Sequence, residues 1–148
     1  MRKQTLLILI LITGFCFIGN VFSGEKEDCV ALSEQAAKMM KADRDSALAE
    51  INKKDGQFVK GKIYVFAMKK SVMVGHAMNP NLLGKDLIDL KDTNGKEHVK
   101  EMLEVVKTKG AGWVDYMWPK PGETEPSAKT SYVLKVDDEY FVGAGYYK

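Results

Sequence analysis

GWVDYMWPKPGETEPSAKTSY, residues 112–132, contains both tryptophans of the chain and three of its four prolines. Trp113 to Trp118 reads as a strand, Pro119 to Ser127 as a loop, and Lys129 to Val136 as a second strand. Strand side chains alternate between two faces, so Val114, Tyr116 and Trp118 share one. That face is either core or the wall of a cavity. Rings that exclude water, beside lysines that can neutralise an anion, point to a small-molecule pocket. Its candidate contacts in this stretch are Trp113, Tyr116, Trp118, Lys120, Lys129 and Tyr132. Lys129 opens its strand, where its ammonium can reach back over the pocket, and Lys120 is the second choice of anion partner. The alternative is a pair of core strands whose lysines are simply solvated.

Downstream, Asp137-Asp138-Glu139 is a turn into a last strand, Tyr140 to Tyr147. Upstream, Glu97 to Lys109 places Val99, Met102, Leu103 and Val106 on one helical face, with Gly110 where a left-handed cap belongs. His98, next to charged residues on that helix, is expected in solvent. Asp92-Thr93-Asn94-Gly95 is a turn. Asp86 to Leu90 is either one helical turn or a tight crossing, and Asn79-Pro80-Asn81 marks a loop. Lys62 to Met68 and Val72 to His76 form a hairpin broken at Lys69-Lys70-Ser71. His76 ends its strand at a loop. Its ring can donate or accept a hydrogen bond and becomes a cation below about pH 6.5; a purely structural histidine is the alternative.

Glu25 to Ile51 spaces Cys29, Leu32, Ala36, Met40, Ala47 and Ile51 by threes, fours and their multiples, which predicts one long amphipathic helix with a kink near Asp43 to Asp45. Its narrow stripe of small side chains suits either the cover of a sheet or pairing with a second copy. Asn52 to Gly56 ends it. Several strands on short turns, with helices before and between them, predict an antiparallel sheet in an α+β domain.

Arg2 and Lys3 precede an apolar run from Leu6 to Ile18, followed by Val21-Phe22-Ser23. Residues 1–23 therefore read as a cleaved signal peptide, with an uncleaved anchor as the alternative. Cys16 follows Phe15 rather than the small residue a lipoprotein signal needs. Residues 24–148 suffice for one domain. The chain has 22 basic and 20 acidic residues; without Arg2 and Lys3 the two balance, and no nucleic-acid partner is implied. Arg44 is the only arginine beyond residue 23, so an anion would be held by lysine. Cys29 has no second cysteine beyond residue 23 to pair with. It is either a small buried helix residue or a link between two copies.

Along the chain run Asp55-Gly56-Gln57-Phe58, Tyr64-Val65-Phe66, His76 with Asn79-Pro80 and Leu83-Gly84-Lys85, and Asp92-Thr93-Asn94-Gly95-Lys96. There follow Gly110-Ala111-Gly112-Trp113-Val114-Asp115-Tyr116, Trp118-Pro119-Lys120-Pro121, Lys129-Thr130-Ser131-Tyr132-Val133 and Gly143-Ala144-Gly145-Tyr146-Tyr147. This order resembles that of the single Cache domains, extracytoplasmic sensor modules with a PAS-like fold. The resemblance departs at Lys69-Lys70-Ser71, where the family commonly has an Asp/Gly turn, and at Ala77, where a proline commonly follows the histidine.

The resemblance implies a long N-terminal helix packed on a five-stranded antiparallel sheet, with a small ligand, often a short carboxylate, between the sheet and its covering loops. It strengthens Tyr116, Trp118 and Lys129 as contacts. Such domains usually sit between two membrane helices of a chemoreceptor or histidine kinase. The sequence ends just past its last strand, so the expectation is a free-standing exported form, periplasmic or secreted, that acts through a membrane or periplasmic signalling partner. Two other readings remain. One is an interaction module, its pocket filled by its own side chains, with a possible homodimer through the N-terminal helix. The other is a periplasmic copper protein using Met68, Met73, Met78 and His76, although a spacing of five puts neighbours on opposite faces of a continuous strand. No nucleophile elbow, HExxH or phosphate loop occurs, so neither an enzyme nor a cofactor is expected.

Overall fold

The computed structural model describes residues 24–148; the expected signal peptide lies outside the described residues. The N-terminal helix is two helices, α1 (Glu25–Ala42) and α2 (Arg44–Ile51). The expected kink is a full break at Asp43, whose extended backbone lets its carboxylate accept from the Ser46 amide (3.1 Å) and hydroxyl (2.6 Å) and cap α2. A two-residue strand β1 (Val59–Lys60) precedes the hairpin of β2 (Ile63–Lys69) and β3 (Val72–His76). Lys70 makes the tight turn with a φ of 52°, and its amide donates to Glu139 O in the Asp137-Asp138-Glu139 turn (2.7 Å).

The segment after β3 contains a 3-10 turn at Pro80–Leu82. It then crosses back tightly, with Asp86 bridging to Val72 and Leu87 buried. Next come α3 (His98–Thr108), β4 (Ala111–Pro119), β5 (Pro126–Lys135) and β6 (Tyr140–Tyr147). All pairings are antiparallel, in the order β3-β2-β6-β5-β4, with β1 beside the start of β2. The α+β fold with its five-stranded PAS-like sheet is therefore present, and β1 is a small addition.

The sheet is covered on both faces. Cys29, Ala36, Ala37 and Met40 of α1, with Ala47 and Ile51 of α2, pack on Ile63, Val65, Ala67, Val142 and Ala144. The small-residue stripe of α1 is thus spent on the sheet. Cys29 is fully buried there, its thiol pushed up to about 12 mainly by burial, so the link to a second copy falls away. The opposite face, bearing Phe66, Met68, Val114, Tyr116, Val133 and Phe141, lies under Val99, Met102 and Val106 of α3 and under Leu87. The candidate site opens in this second layer.

Candidate functional site

The parity of three strands builds the site. On β2, Tyr64, Phe66 and Met68 point to the α3 side, and on β4 Tyr116 and Trp118 do the same; all five line one cavity. Lys129 is the direct partner of Tyr116 across β4 and β5 and of Tyr147 across β5 and β6, so it emerges on the same face. On β6, Gly145 pairs with Tyr64 on one side and on the other with Ser131, two residues along β5 from Lys129, and a Cβ there would sit 2.8 Å from the Lys129 Cε. Its missing side chain is the path along which the lysine crosses β6. Lys129 Nζ ends 4.0 Å from the centre of the Tyr64 ring and 5.1 Å from that of Tyr147.

Lys129 is 1% exposed and, among the described residues, has no carboxylate partner within ion-pair distance. Burial lowers its pKa to about 7, against a small opposing influence of Cys29. Around it the polar groups are neutral. Burial, helped by the Lys129 charge, takes His76 down to about 4. Its Nδ1 accepts from the Asn79 amide (3.0 Å), so the ring proton resides on Nε2 as a donor. Burial holds the Tyr64 and Tyr116 phenols above their usual range, and the Tyr116 hydroxyl pairs with Ser131 Oγ at 3.0 Å. The far end of the cavity is apolar: Phe66, Met68, Met73, Leu87, Val99 and Met102. The cavity volume is about 20 Å³, roughly that of one water. A cleft of about 320 Å³, lined by Met78, Leu82, Leu90 and the loop Pro119 to Glu123, shares the Tyr64, His76 and Trp118 rings with the cavity.

Of the residues singled out from sequence, Tyr116, Trp118, Lys129 and His76 converge on the cavity, and Lys120 lines the outer cleft. Trp113 and Tyr132 do not join them. They are cross-strand partners on the opposite face, where Trp113 packs against Tyr132 (5.4 Å) and Tyr146 (6.0 Å) near Lys26. One residue of strand offset separates Trp113 from the pocket face. His98, expected in solvent, is buried and stacks on Tyr116 with ring centres 4.6 Å apart and 5° between planes. Its place was legible: residues 98, 102 and 106 form one helical row, and Met102 and Val106 are core. Of the methionines in the copper reading, Met68 and Met73 are cross-strand partners and both reach the cavity, because the hairpin turn reverses the chain between them; Met78 lines the cleft outside.

Residues 29–148 match the family described as Cache domain. A stretch of 76 residues is 41% identical to the methyl-accepting chemotaxis protein McpP of Pseudomonas putida, taking in 51% of this chain and 14% of that protein. The chain thus spans a small part of the length of that curated relative. Among solved structures, one described as the structural basis for carboxylic acid recognition by a Cache chemosensory domain superposes with a TM-score of 0.71 at 33% identity, over 82% of this chain and 92% of that one. A periplasmic sensor domain of a chemotaxis protein gives 0.65 at 32%, over 80% and 86%. A methyl-accepting chemotaxis protein from Vibrio parahaemolyticus gives 0.70 at 22%, over 82% and 87%, a likeness of fold alone. The family match takes in the sheet, α2, α3 and α1 from Cys29 onward, and the chain belongs to the Cache domain family.

Proposed function

We propose that residues 24–148 form an extracytoplasmic sensor or binding domain for a short organic carboxylate, exported by a signal peptide at residues 1–23. The observation that carries this reading is Lys129, a buried ammonium site facing an aromatic-lined cavity with no carboxylate partner among the described residues. A carboxylate head group supplies the missing counter-charge, with the His76 Nε2–H and the Tyr116 hydroxyl as neutral donors beside it. Phe66, Met73, Leu87 and Met102 receive a short apolar tail. One cation favours one carboxylate, and a cavity with room for about one water admits even a ligand of few atoms only as the surrounding side chains move aside. The ligand enters through the outer cleft, where Lys120 supplies a surface charge, and displaces the rings shared by the two compartments.

The carboxylic-acid recognition ascribed to one solved relative supports the ligand class, and the chemotaxis proteins among the others support a signalling role outside the cytoplasm. The domain binds without catalysing a reaction and passes its state to a membrane or periplasmic partner. Thermal melting of the protein against small carboxylates, amino acids, amines and divalent metals tests this. A ligand at 100 times its dissociation constant adds about 2.7 kcal/mol to a fold that alone binds it. Stabilisation by a carboxylate supports the reading. Stabilisation only by a metal, or by nothing, sinks it.

A further inference from the structure

We propose that Asp92 is a positioning residue for the pocket: its carboxylate staples the loop before α3 to the edge strand β4 and so holds the His98 ring against Tyr116 and Trp118. The proposal rests on the carboxylate-binding reading above. Asp92 Oδ1 accepts from the amides of Asn94 and Lys96, both at 2.9 Å. The backbone closes the same turn, the Gly95 amide donating to Asp92 O (2.9 Å) and the Asp92 amide to Lys96 O (3.0 Å). Gly95 takes a φ of 78° there. This leaves Asp92 Oδ2 to accept from the Met117 amide at 2.9 Å.

Met117 lies between the two rings that touch His98. Tyr116 is stacked on it at 4.6 Å, and Trp118 meets it edge-on at 5.6 Å. His98 follows Lys96, the far end of the turn, by two residues and begins α3. One carboxylate thus fixes both partners of the stack, the loop that delivers His98 and the strand that carries the two aromatics. The outer edge of β4 pairs with no other strand among the described residues, so the Met117 amide depends on this bond. Lys96 Nζ adds a second tie to the same strand through Asp115 O. All three rings line the cavity, and a tilt of His98 would open its wall beneath Tyr116.

Asp92→Asn keeps the shape of the side chain and one acceptor oxygen, enough for the turn, but sets an N–H₂ against the Met117 N–H. The full chain is titrated by calorimetry with acetate, propionate and butyrate, and the His98 ring protons are followed by NMR, where stacking on Tyr116 displaces them. Asp92→Asn is expected to weaken binding about tenfold, the worth of one hydrogen bond to a charged group, and to move the His98 ring protons toward unstacked values. Asn94→Ala, which leaves the Asp92 bonds in place, should change neither. Unmoved His98 resonances, or moved resonances with wild-type affinity, would overturn the proposal. Should Asp92→Asn not fold, hydrogen exchange of the Met117 amide in the wild-type protein decides: slow exchange supports the staple, and exchange at the rate of a free edge amide overturns it. A wild-type protein that binds none of the three acids overturns the functional reading instead, and the ring shift and amide protection then judge the staple alone.

Discussion

Lys129 Nζ lies 4.0 Å from the centre of the Tyr64 ring, with the whole width of β6 between their two strands. The face of the ring attracts the ammonium, yet it replaces only part of the hydration that burial removes, and the amine drops to about 7. The lysine therefore lowers the stability of the fold while supplying the pocket with its charge. Lys129→Met, similar in length and apolar, is expected to raise the melting temperature at pH 7 and to abolish carboxylate binding. A variant that melts below the wild type would show that the contact with Tyr64 outweighs the cost of burial.

The same amine predicts a pH dependence. Its folded value, about 7, lies below the ordinary lysine value of about 10.4. Between those two values the unfolded chain holds a proton that the folded chain lacks, so Lys129 makes stability rise with pH across that window and adds no slope below it. Binding of a carboxylate runs the other way, because it requires the charged amine. His76 at about 4, His98 lowered by burial, and the Tyr64, Tyr116 and Tyr147 phenols raised by burial all stay neutral between pH 6.5 and 8.5. Cys29, at about 12, does as well. The dissociation constant should therefore rise by about tenfold or more over that range. Calorimetry in buffers of different ionisation enthalpy should register proton uptake at the upper end. A flat profile would remove Lys129 as the anion partner.

Gly145→Ala probes the route the lysine takes. The new methyl group would lie against Ser131 Oγ, 2.5 Å from Thr130 O and 2.8 Å from the Lys129 Cε. Thr130 O belongs to the backbone of the neighbouring strand and cannot move aside without breaking the sheet. Overpacking of this kind costs about 1–3 kcal/mol, which urea unfolding would read as a lower midpoint. Lys129 must also leave Gly145, so carboxylate affinity should fall together with stability. Unchanged stability would mean that the side chain does not lie across β6 as described.

Local pattern carried much of this fold and less of its site. Strand alternation placed Tyr116 and Trp118 on one face, and the row of Val99, Met102 and Val106 located α3. Asp43 stood where turn chemistry interrupts an otherwise regular helix. What failed was nearness in sequence used as a substitute for parity, which drew Trp113 and Tyr132 into a pocket on the other side of the sheet. His98 was misjudged from its charged neighbours although it sits one turn before Met102. The position of Lys129 Nζ could not be read locally at all. It depends on β6 lying between β2 and β5 and on a glycine at residue 145, both products of long-range strand order.

Tyr116 has two possible duties, and substitution separates them. Its hydroxyl pairs with Ser131 Oγ at 3.0 Å, and either oxygen can be the donor. Ser131 is fully buried, so breaking the pair leaves a polar atom without a partner at a cost of about 1–3 kcal/mol. Both Tyr116→Phe and Ser131→Ala should therefore lose stability. They differ at the ligand. If the phenol donates to a carboxylate held by Lys129, its direct cross-strand partner, Tyr116→Phe weakens binding by about tenfold. Ser131→Ala leaves the phenol in place and the affinity near that of the wild type. Melting curves and carboxylate titrations of both variants are the measurement, and the split between them is the expected outcome. Equal affinities in the two variants would confine the Tyr116 hydroxyl to its bond with Ser131 and leave the carboxylate to Lys129 and His76.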